Sequence, residues 1–240
     1  VIPDVRTYVP GDAGAFYPEN YDREYHGPIS ARHALACSYN VAATRVIADV
    51  TVEAVLERLR AAGFRSLVRD ARHYGASLTL GGADTTLLEL TGAYRSFARG
   101  GLGAPPSAIL EVRDIYGRDL TPRKETTARR VFSEATCFVV GSILSDNNAR
   151  EAAFSLLSPL NFPFFCAVKT GTSVGFRNNW TAGWSKTHTV GVWVGNYDNK
   201  PMKGINGITG AGNIFRAVML GLPQDEDWRP PVPDSVVTRL

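Results

Sequence analysis

The sequence has few of the residues that hold metals or build disulfide frameworks. Its three cysteines, Cys37, Cys137 and Cys166, are an odd number without metal-ligand spacing, and its four histidines are dispersed. Each cysteine has apolar or small neighbours, so the pattern predicts buried free thiols, no metal and no other cofactor. No apolar run approaches the ~20 residues that span a bilayer.

Charge of one sign is also scarce, because 26 basic residues face 23 acidic ones and leave a net charge of +3. The densest basic patch is Arg123-Lys124 with Arg129-Arg130. Such a short run is typical of a solvated face, so we expect no nucleic-acid partner. With 44% hydrophobic residues, the 240 positions are enough for one sizeable core.

The most informative stretch is Lys169–Ser173, which combines a cation, a glycine and three hydroxyls. An apolar segment precedes it, so the pattern predicts the end of a buried strand, beginning near Leu160. There Gly171 lets a substrate backbone come close, and hydroxyls can bind a carboxylate. A phosphate loop is excluded because its glycine must precede the lysine. A strand that simply ends in a polar turn is the alternative.

A second motif, Ser38-Tyr39-Asn40, lies far upstream. Ser30 is placed to cap a short helix from Ala31 to Cys37, so Ser38 and Asn40 would stand at the C-terminal end of that helix. From there both side chains could project into a cleft. The alternative is that both only cap the helix.

Together the motifs resemble the S-x-N and K-T-G signatures of the serine acyltransferases that bind penicillin. The resemblance to class A penicillin-binding proteins covers nearly the whole chain and implies an α/β, β-lactamase/D,D-transpeptidase-like fold, with an antiparallel sheet flanked by helices. The further segments that carry it are Tyr17–Asp22, Gly27–Ser30, Leu80–Leu90, Ile143–Asp146 and Leu160–Phe164.

The resemblance also assigns roles to residues of both motifs. Ser38 would relay a proton, Asn40 would bind the backbone amide of the substrate, and Lys169 would supply positive potential. Thr170 and Thr172 would bind the substrate carboxylate, with the Thr172 N–H as one oxyanion donor. The residues implied to line the substrate site are Thr170, Gly171, Thr172 and Ser173.

One motif of the family is missing, because no serine of this chain is followed three positions later by lysine. In the family, the nucleophile lies in an S-x-x-K on a central helix a few dozen residues before S-x-N. We therefore expect that this chain holds no nucleophile and lacks the N-terminal part of the domain. Loss of a central helix would expose apolar surface, which predicts low stability or association with another chain.

The pattern predicts one domain over residues 1–228, with a small hairpin near 109–121, and a proline-rich linker over residues 229–240. The first thirty residues read as irregular. Helices are predicted after Thr51, Asp84 and Ser133 and from Asn213 to Leu220. Trp180–Trp184 and Thr189–Val194 are predicted to be two antiparallel strands beside the K-T-G strand.

The implied function is that of a peptidoglycan D,D-transpeptidase, which is catalytically incomplete in this chain. A D,D-carboxypeptidase or β-lactamase, with water as acceptor, and a non-catalytic peptidoglycan-binding module are the alternatives. Partners implied are the stem peptide, β-lactams and other cell-wall proteins. The implied location is the periplasmic side of the bacterial inner membrane, with the parent protein anchored by an N-terminal segment.

Overall fold

The computed structural model describes residues 1–9, 17–121 and 128–237. Arg123, Lys124 and the last three residues of the predicted linker lie outside the described residues. The strands are β1 Ile2–Asp4, β2 Gly27–Ile29, β3 Leu102–Gly103, β4 Arg129–Arg130, β5 Ala167–Thr172, β6 Asn178–Trp184 and β7 Thr189–Gly195. The helices are α1 Ala31–Ala36, α2 Asn40–Val50, α3 Val52–Ala61, α4 Ala71–Tyr74, α5 Leu87–Ala98, α6 Glu134–Leu144, α7 Glu151–Phe154 and α8 Asn213–Gly221.

The main sheet is antiparallel, in the order β5-β6-β7, so β5 has one open edge. Lys169 pairs with Ala182 and Gly171 pairs with Trp180 across the first ladder. The predicted strands over Trp180–Trp184 and Thr189–Val194 are confirmed. The K-T-G strand starts at Ala167, not near Leu160, although Leu160 is buried. Hydrophobicity predicted burial there but could not distinguish a strand from a buried irregular segment.

Helices cover both faces of this sheet, as the predicted fold class requires. On one face, Phe215 and Met219 of α8 pack on Cys166 and Val168. On the other face, Trp184 packs with aromatic rings of α5 and with Leu144 of α6. A separate apolar core, centred on Leu56, Phe64 and Leu67, joins α3, α4 and α5. The K-T-G strand therefore lies between two helical layers, one formed by α8 and the other by α5 and α6.

Three of the predicted helix starts are confirmed by their caps. The Ser30, Thr51 and Ser133 hydroxyls accept backbone N–H groups of the first turns of α1, α3 and α6. The start of α5 was predicted wrongly at Asp84. Thr86 caps that helix instead, because its hydroxyl and the Glu89 carboxylate satisfy each other's backbone N–H groups in a capping box.

Two irregular segments differ from expectation. Within the first thirty residues, β1 and β2 form a short antiparallel pair. The hairpin near 109–121 is reduced to a single antiparallel bridge between Arg113 and Asp119. Its apolar side chains Leu110 and Ile115 are exposed, so none of the described residues covers them to stabilise a longer pairing.

The predicted burial of all three thiols is confirmed, since each cysteine is free and buried. Among residues 1–9, 17–121 and 128–237, no group of three or more His, Cys, Asp or Glu side chains could hold a metal ion. None of the helices in the same part of the chain is long and apolar enough to cross a membrane.

Candidate functional site

Ser38 occupies the turn that joins α1 to α2, in a backbone conformation that favours glycine. Its φ is 63°, and the Ser38 and Tyr39 N–H groups donate to the Leu35 and Ala34 carbonyls. These two bonds form a Schellman motif, whose left-handed position is usually glycine. A serine there carries backbone strain, and such strain is typical of functional positions.

Lys169 meets this turn from the edge strand β5. Its Nζ donates to Ser38 Oγ at 2.6 Å, joining residues 131 positions apart, and to the Thr170 carbonyl at 2.7 Å. The two motifs found in the sequence are therefore in direct contact. Because a lysine ammonium has only donors, the Ser38 hydroxyl hydrogen is free to point elsewhere.

The surroundings of Lys169 make its amine less basic. Burial, and then the positive charge of Arg150, lowers the pKa of Lys169 from 10.5 to about 8. Arg150 is itself buried, with its guanidinium donating to the Leu144 and Asp146 carbonyls. A lysine in this state exchanges protons near neutral pH far more readily than an exposed one.

The hydroxyl of Thr172 is oriented by a loop that follows the sheet. The Gly207 N–H donates to Thr172 Oγ1 at 2.9 Å, which leaves the hydroxyl hydrogen available for an acceptor such as a carboxylate. Ser173 closes the turn between β5 and β6, since its Oγ accepts the Asn178 N–H at 2.9 Å. Ser173 therefore has a local structural role as well as a place beside the motif.

Gly171 is not required by internal packing. A Cβ added to it would meet only Trp180 Cβ, at 3.7 Å, which is ordinary van der Waals contact. Its φ lies outside the left-handed region, and the residue is exposed at the open edge of the sheet. A glycine that folding does not require fits a position where another backbone approaches.

Asn40 lies differently from expectation. It does not end α1 with Ser38 but begins α2, with Tyr39 as the N-cap residue. Its amide nitrogen donates to the Glu19 carbonyl at 2.9 Å, so its side chain ties the S-x-N turn to the preceding loop. Its amide oxygen is the atom that could accept a substrate N–H.

All seven predicted site residues line one cavity of about 620 Å³. Lys169, Thr170, Gly171 and Ser173 also border a neighbouring cavity of about 560 Å³, on the α5 side of β5. Apart from Thr79, most of the wall of the larger cavity away from the motifs is apolar. The apolar residues there include Ala31, Ala34, Leu35, Ala42, Ala43, Val46, Ile47, Val55 and Ile143.

Sequence reasoning missed the residues that support the motifs. Gly207 and Arg150 come near the site only through folding, and no local pattern marks either of them. Asn20 accepts the Val41 N–H at 3.2 Å, and it lies in the Tyr17–Asp22 segment that carries part of the resemblance. That segment was the available signal.

The fold is the β-lactamase-like fold of penicillin-binding protein transpeptidase domains. Penicillin-binding protein 1A from Haemophilus influenzae superimposes with a TM-score of 0.79 at 22% identity, over 98% of this chain and 41% of that one. The PonA1 protein from Mycobacterium tuberculosis in complex with penicillin V gives 0.77 at 19% identity, over 98% and 69%. No family model matches the chain.

Curated relatives allow a more specific comparison than the solved structures. The homologues of this chain are class A penicillin-binding proteins. Penicillin-binding protein 1C from Escherichia coli is 30% identical over 95% of this chain and 28% of its own length. Penicillin-binding protein 1A from Aquifex aeolicus is 31% identical over 97% of this chain and 31% of its own length. The chain thus spans about three tenths of these relatives.

Proposed function

We propose that these residues form the S-x-N and K-T-G part of a peptidoglycan D,D-transpeptidase site. The observation that carries the proposal is the 2.6 Å contact between Lys169 Nζ and Ser38 Oγ, inside a cavity lined by both motifs. Transpeptidase-type cell-wall synthesis is the role that the names of the homologues support. The penicillin V in the PonA1 neighbour supports β-lactams as ligands of the same cleft.

The roles follow from the contacts of each group. A serine nucleophile would attack the carbonyl of the penultimate D-alanine, and the bond to the terminal D-alanine would break. The leaving amine would take its proton through Ser38, whose oxygen is held by Lys169. An amine of a second stem peptide would then attack the ester, releasing the serine and a proton. Proton relays of this kind contribute ~10²–10⁴ in rate.

Substrate binding falls to the edge strand and to Asn40. The donor peptide would pair with the open edge of β5 at Gly171, as in strand addition. Its terminal carboxylate would accept from the Thr170 and Thr172 hydroxyls, and its backbone N–H would donate to the Asn40 amide oxygen. Loss of one oxyanion donor, such as the Thr172 N–H, typically costs ~10²–10³ in rate.

The nucleophile is the part that these 240 residues do not supply, since the sequence holds no S-x-x-K. We propose that the chain by itself forms no acyl-enzyme. The apolar wall of the 620 Å³ cavity suits a helix that carries a serine and lysine toward Ser38 and Lys169. In the parent protein this assembly would work on the periplasmic side of the inner membrane, with other cell-wall proteins as partners.

A peptidoglycan-binding module is the second candidate, because the absence of S-x-x-K is what such a module would show. The coding sequence around these residues distinguishes the two functions. A transpeptidase gene also encodes S-x-x-K and, in the bifunctional class, a glycosyltransferase domain. A binding-module gene encodes neither.

The first experiment is the intact mass of the protein after incubation with excess benzylpenicillin. We expect no added mass. A stoichiometric adduct on Ser38 or any other serine would overturn the proposal that this chain lacks a nucleophile.

The second experiment is an NMR titration with a peptide that ends in D-Ala-D-Ala. We expect the backbone amide signals of Thr170–Thr172 to shift, and Thr172→Val to weaken binding. Thr187→Val, which removes a hydroxyl from the exposed turn between β6 and β7, is the matched control. Absence of any shift in the wild type would contradict the substrate assignment.

A further inference from the structure

A buried carboxylate lies behind the S-x-N turn and holds a histidine. Asp4 is completely buried and accepts from the Asn20 amide at 2.9 and 3.0 Å. The same carboxylate accepts the His26 backbone N–H at 2.9 Å and contacts the His26 ring Nδ1 at 2.6 Å. Four close contacts on one carboxylate leave the His26 ring little freedom to turn.

The other side of the ring reaches the middle residue of the S-x-N motif. His26 stacks on Tyr39 with ring centroids 4.1 Å apart and planes inclined by 21°. Tyr39 is buried, and it lies between Ser38 and Asn40 in the chain. The ring therefore contacts the residue that links Ser38 to Asn40, the two groups proposed to face the substrate.

The cluster has a second connection to the same turn. Asn20, which donates to Asp4, also accepts the Val41 N–H through its amide oxygen. Val41 is fully buried in the first turn of α2. Asp4, Asn20 and His26 thus contact the residues on both sides of Asn40, Tyr39 through the stacked ring and Val41 through its N–H.

The ring is open to solvent on one side. Its Nε2 lies 3.2 Å from an Asp22 carboxylate oxygen, and 26% of the His26 side chain is exposed. The titratable groups that face the ring are Asp4 on β1, Asp22 in the segment before β2 and Tyr39 at the start of α2. A doubly protonated ring can donate to both carboxylates, whereas a neutral ring can donate to only one.

We propose that His26 is a positioning residue for Ser38 and Asn40, which it orients through its stack on Tyr39 while Asp4 fixes the ring. The inference rests on the proposed function, since that function gives Ser38 and Asn40 their importance.

The test uses NMR of the wild-type protein and three variants, without any ligand. In His26→Ala, the Ser38 and Asn40 amide signals and the Lys169 side-chain amine signal are expected to shift. His26→Phe keeps a flat ring on Tyr39. It is expected to return the three signals most of the way to their wild-type positions. His33→Ala, which removes an exposed histidine from α1, is the matched control and is expected to leave the three signals unchanged.

A role limited to stability would give a different result. His26→Ala would then lower the melting temperature but leave the Lys169 amine signal in place, and that result would overturn the proposal. Failure of His26→Phe to restore the signals in a folded protein would do the same.

If the His26 variants do not fold, NMR relaxation of the wild type decides. We expect cross-relaxation between the His26 and Tyr39 ring protons and rigid Ser38 and Asn40 amides. Absence of the ring contact, or Ser38 and Asn40 amides that move while the His26 ring is rigid, would overturn the inference. Because no ligand is used, failure here is distinct from failure of the D-Ala-D-Ala titration.

Discussion

At the scale of single residues, the site contains side chains that lower the stability of the fold. Ser38 has a φ of 63° at a position where glycine is favoured. Lys169 places its amine in a half-buried position where burial and the positive charge of Arg150 lower its pKa. Each arrangement costs stability, and each places a polar atom at the cavity. Such local conflict with stability is expected where a protein functions.

Replacement of Ser38 tests this conflict directly. We expect Ser38→Gly to raise the free energy of unfolding by about 0.5–1 kcal/mol relative to Ser38→Ala, because glycine tolerates the left-handed turn. Both variants remove the hydroxyl that Lys169 contacts, so both should lose its function equally. Urea denaturation of the two proteins measures the difference. Equal stabilities would show that the turn is not strained.

The amine of Lys169 makes stability depend on pH. Below pH ~8 it is protonated in both folded and unfolded chains, and the cost of burying the charge is fully present. Between its folded pKa of about 8 and its ordinary 10.5, only the unfolded chain binds the proton, so the free energy of unfolding should rise with pH. Denaturation of wild type and Lys169→Met at pH 7.5 and 10 measures this.

Lys169→Met removes the titrating group and thus serves as the control for other groups that ionise in the same range. As the pH rises from 7.5 to 10, the free energy of unfolding of the wild type should increase relative to that of Lys169→Met. If the difference between the two free energies of unfolding stays constant with pH, the lowered pKa of Lys169 is contradicted.

At the scale of elements, α5 illustrates how one side chain can fix both a helix and its neighbours. Glu89 accepts the Thr86 N–H in the capping box and also accepts the Arg65 and Ser66 N–H groups of the turn after α3. It therefore sets where α5 begins and how it lies against α3. Since α5 covers one face of the main sheet, this cap helps to form the floor beside Lys169.

Removal of this carboxylate should weaken the fold and change its response to acid. Burial alone would raise the pKa of Glu89, but hydrogen bonds from Ser66, Thr86 and Thr85 outweigh it and lower the pKa to about 2. The stabilisation is thus present above pH ~4.5 and is lost as the pH falls toward 2. We expect Glu89→Gln to cost about 1–2 kcal/mol at pH 7 and to flatten that acid dependence.

Glu53→Gln is a suitable comparison, because Glu53 is an exposed acid in the first turn of α3. Its effect should stay within about 0.5 kcal/mol, as for most surface substitutions. Denaturation from pH 2 to 7 of the three proteins measures both effects. Equal losses in the two variants would contradict the role given to Glu89.

At the scale of the whole molecule, the separate apolar cores differ in whether they border the cavity. The helical core around Leu56 borders the cavity through Ile47 and Val55, whereas the core around Phe215 lies behind the main sheet and does not line it. Of its apolar wall, Ala34, Ala42 and Ile47 are already buried by the described residues, whereas Val46 is exposed. A segment that bound in this space would stabilise the molecule.

The three thiols report on this whole-molecule stability. Burial is the main cause that raises the pKa of Cys137 to about 11 and that of Cys166 to about 12, and it raises the pKa of Cys37 as well. We expect a disulfide reagent at pH 8 to react with them only as the protein opens, and with all three at once in denaturant. A thiol that reacts at the rate of a free cysteine in native buffer would locate a region that opens separately.

Local chemistry was readable from the sequence alone. The hydroxyls of Ser30, Thr51 and Ser133 cap their helices because an N-cap depends only on residues within one turn. The K-T-G and S-x-N motifs were recognisable because a few residue types at fixed spacing carry the chemistry. The sequence also determined that S-x-x-K is absent from these residues.

Tertiary structure decided what depends on distant partners. It brought Lys169 Nζ into contact with Ser38 Oγ, 131 positions away in the chain, and the Gly207 N–H into contact with Thr172 Oγ1. It also made Asn40 the first residue of α2. It also brought the Arg65 and Ser66 N–H groups to the Glu89 carboxylate. None of these contacts has a local pattern, since each arises only when separate elements pack together. The Thr86–Glu89 capping box at the start of α5, by contrast, is a local pattern.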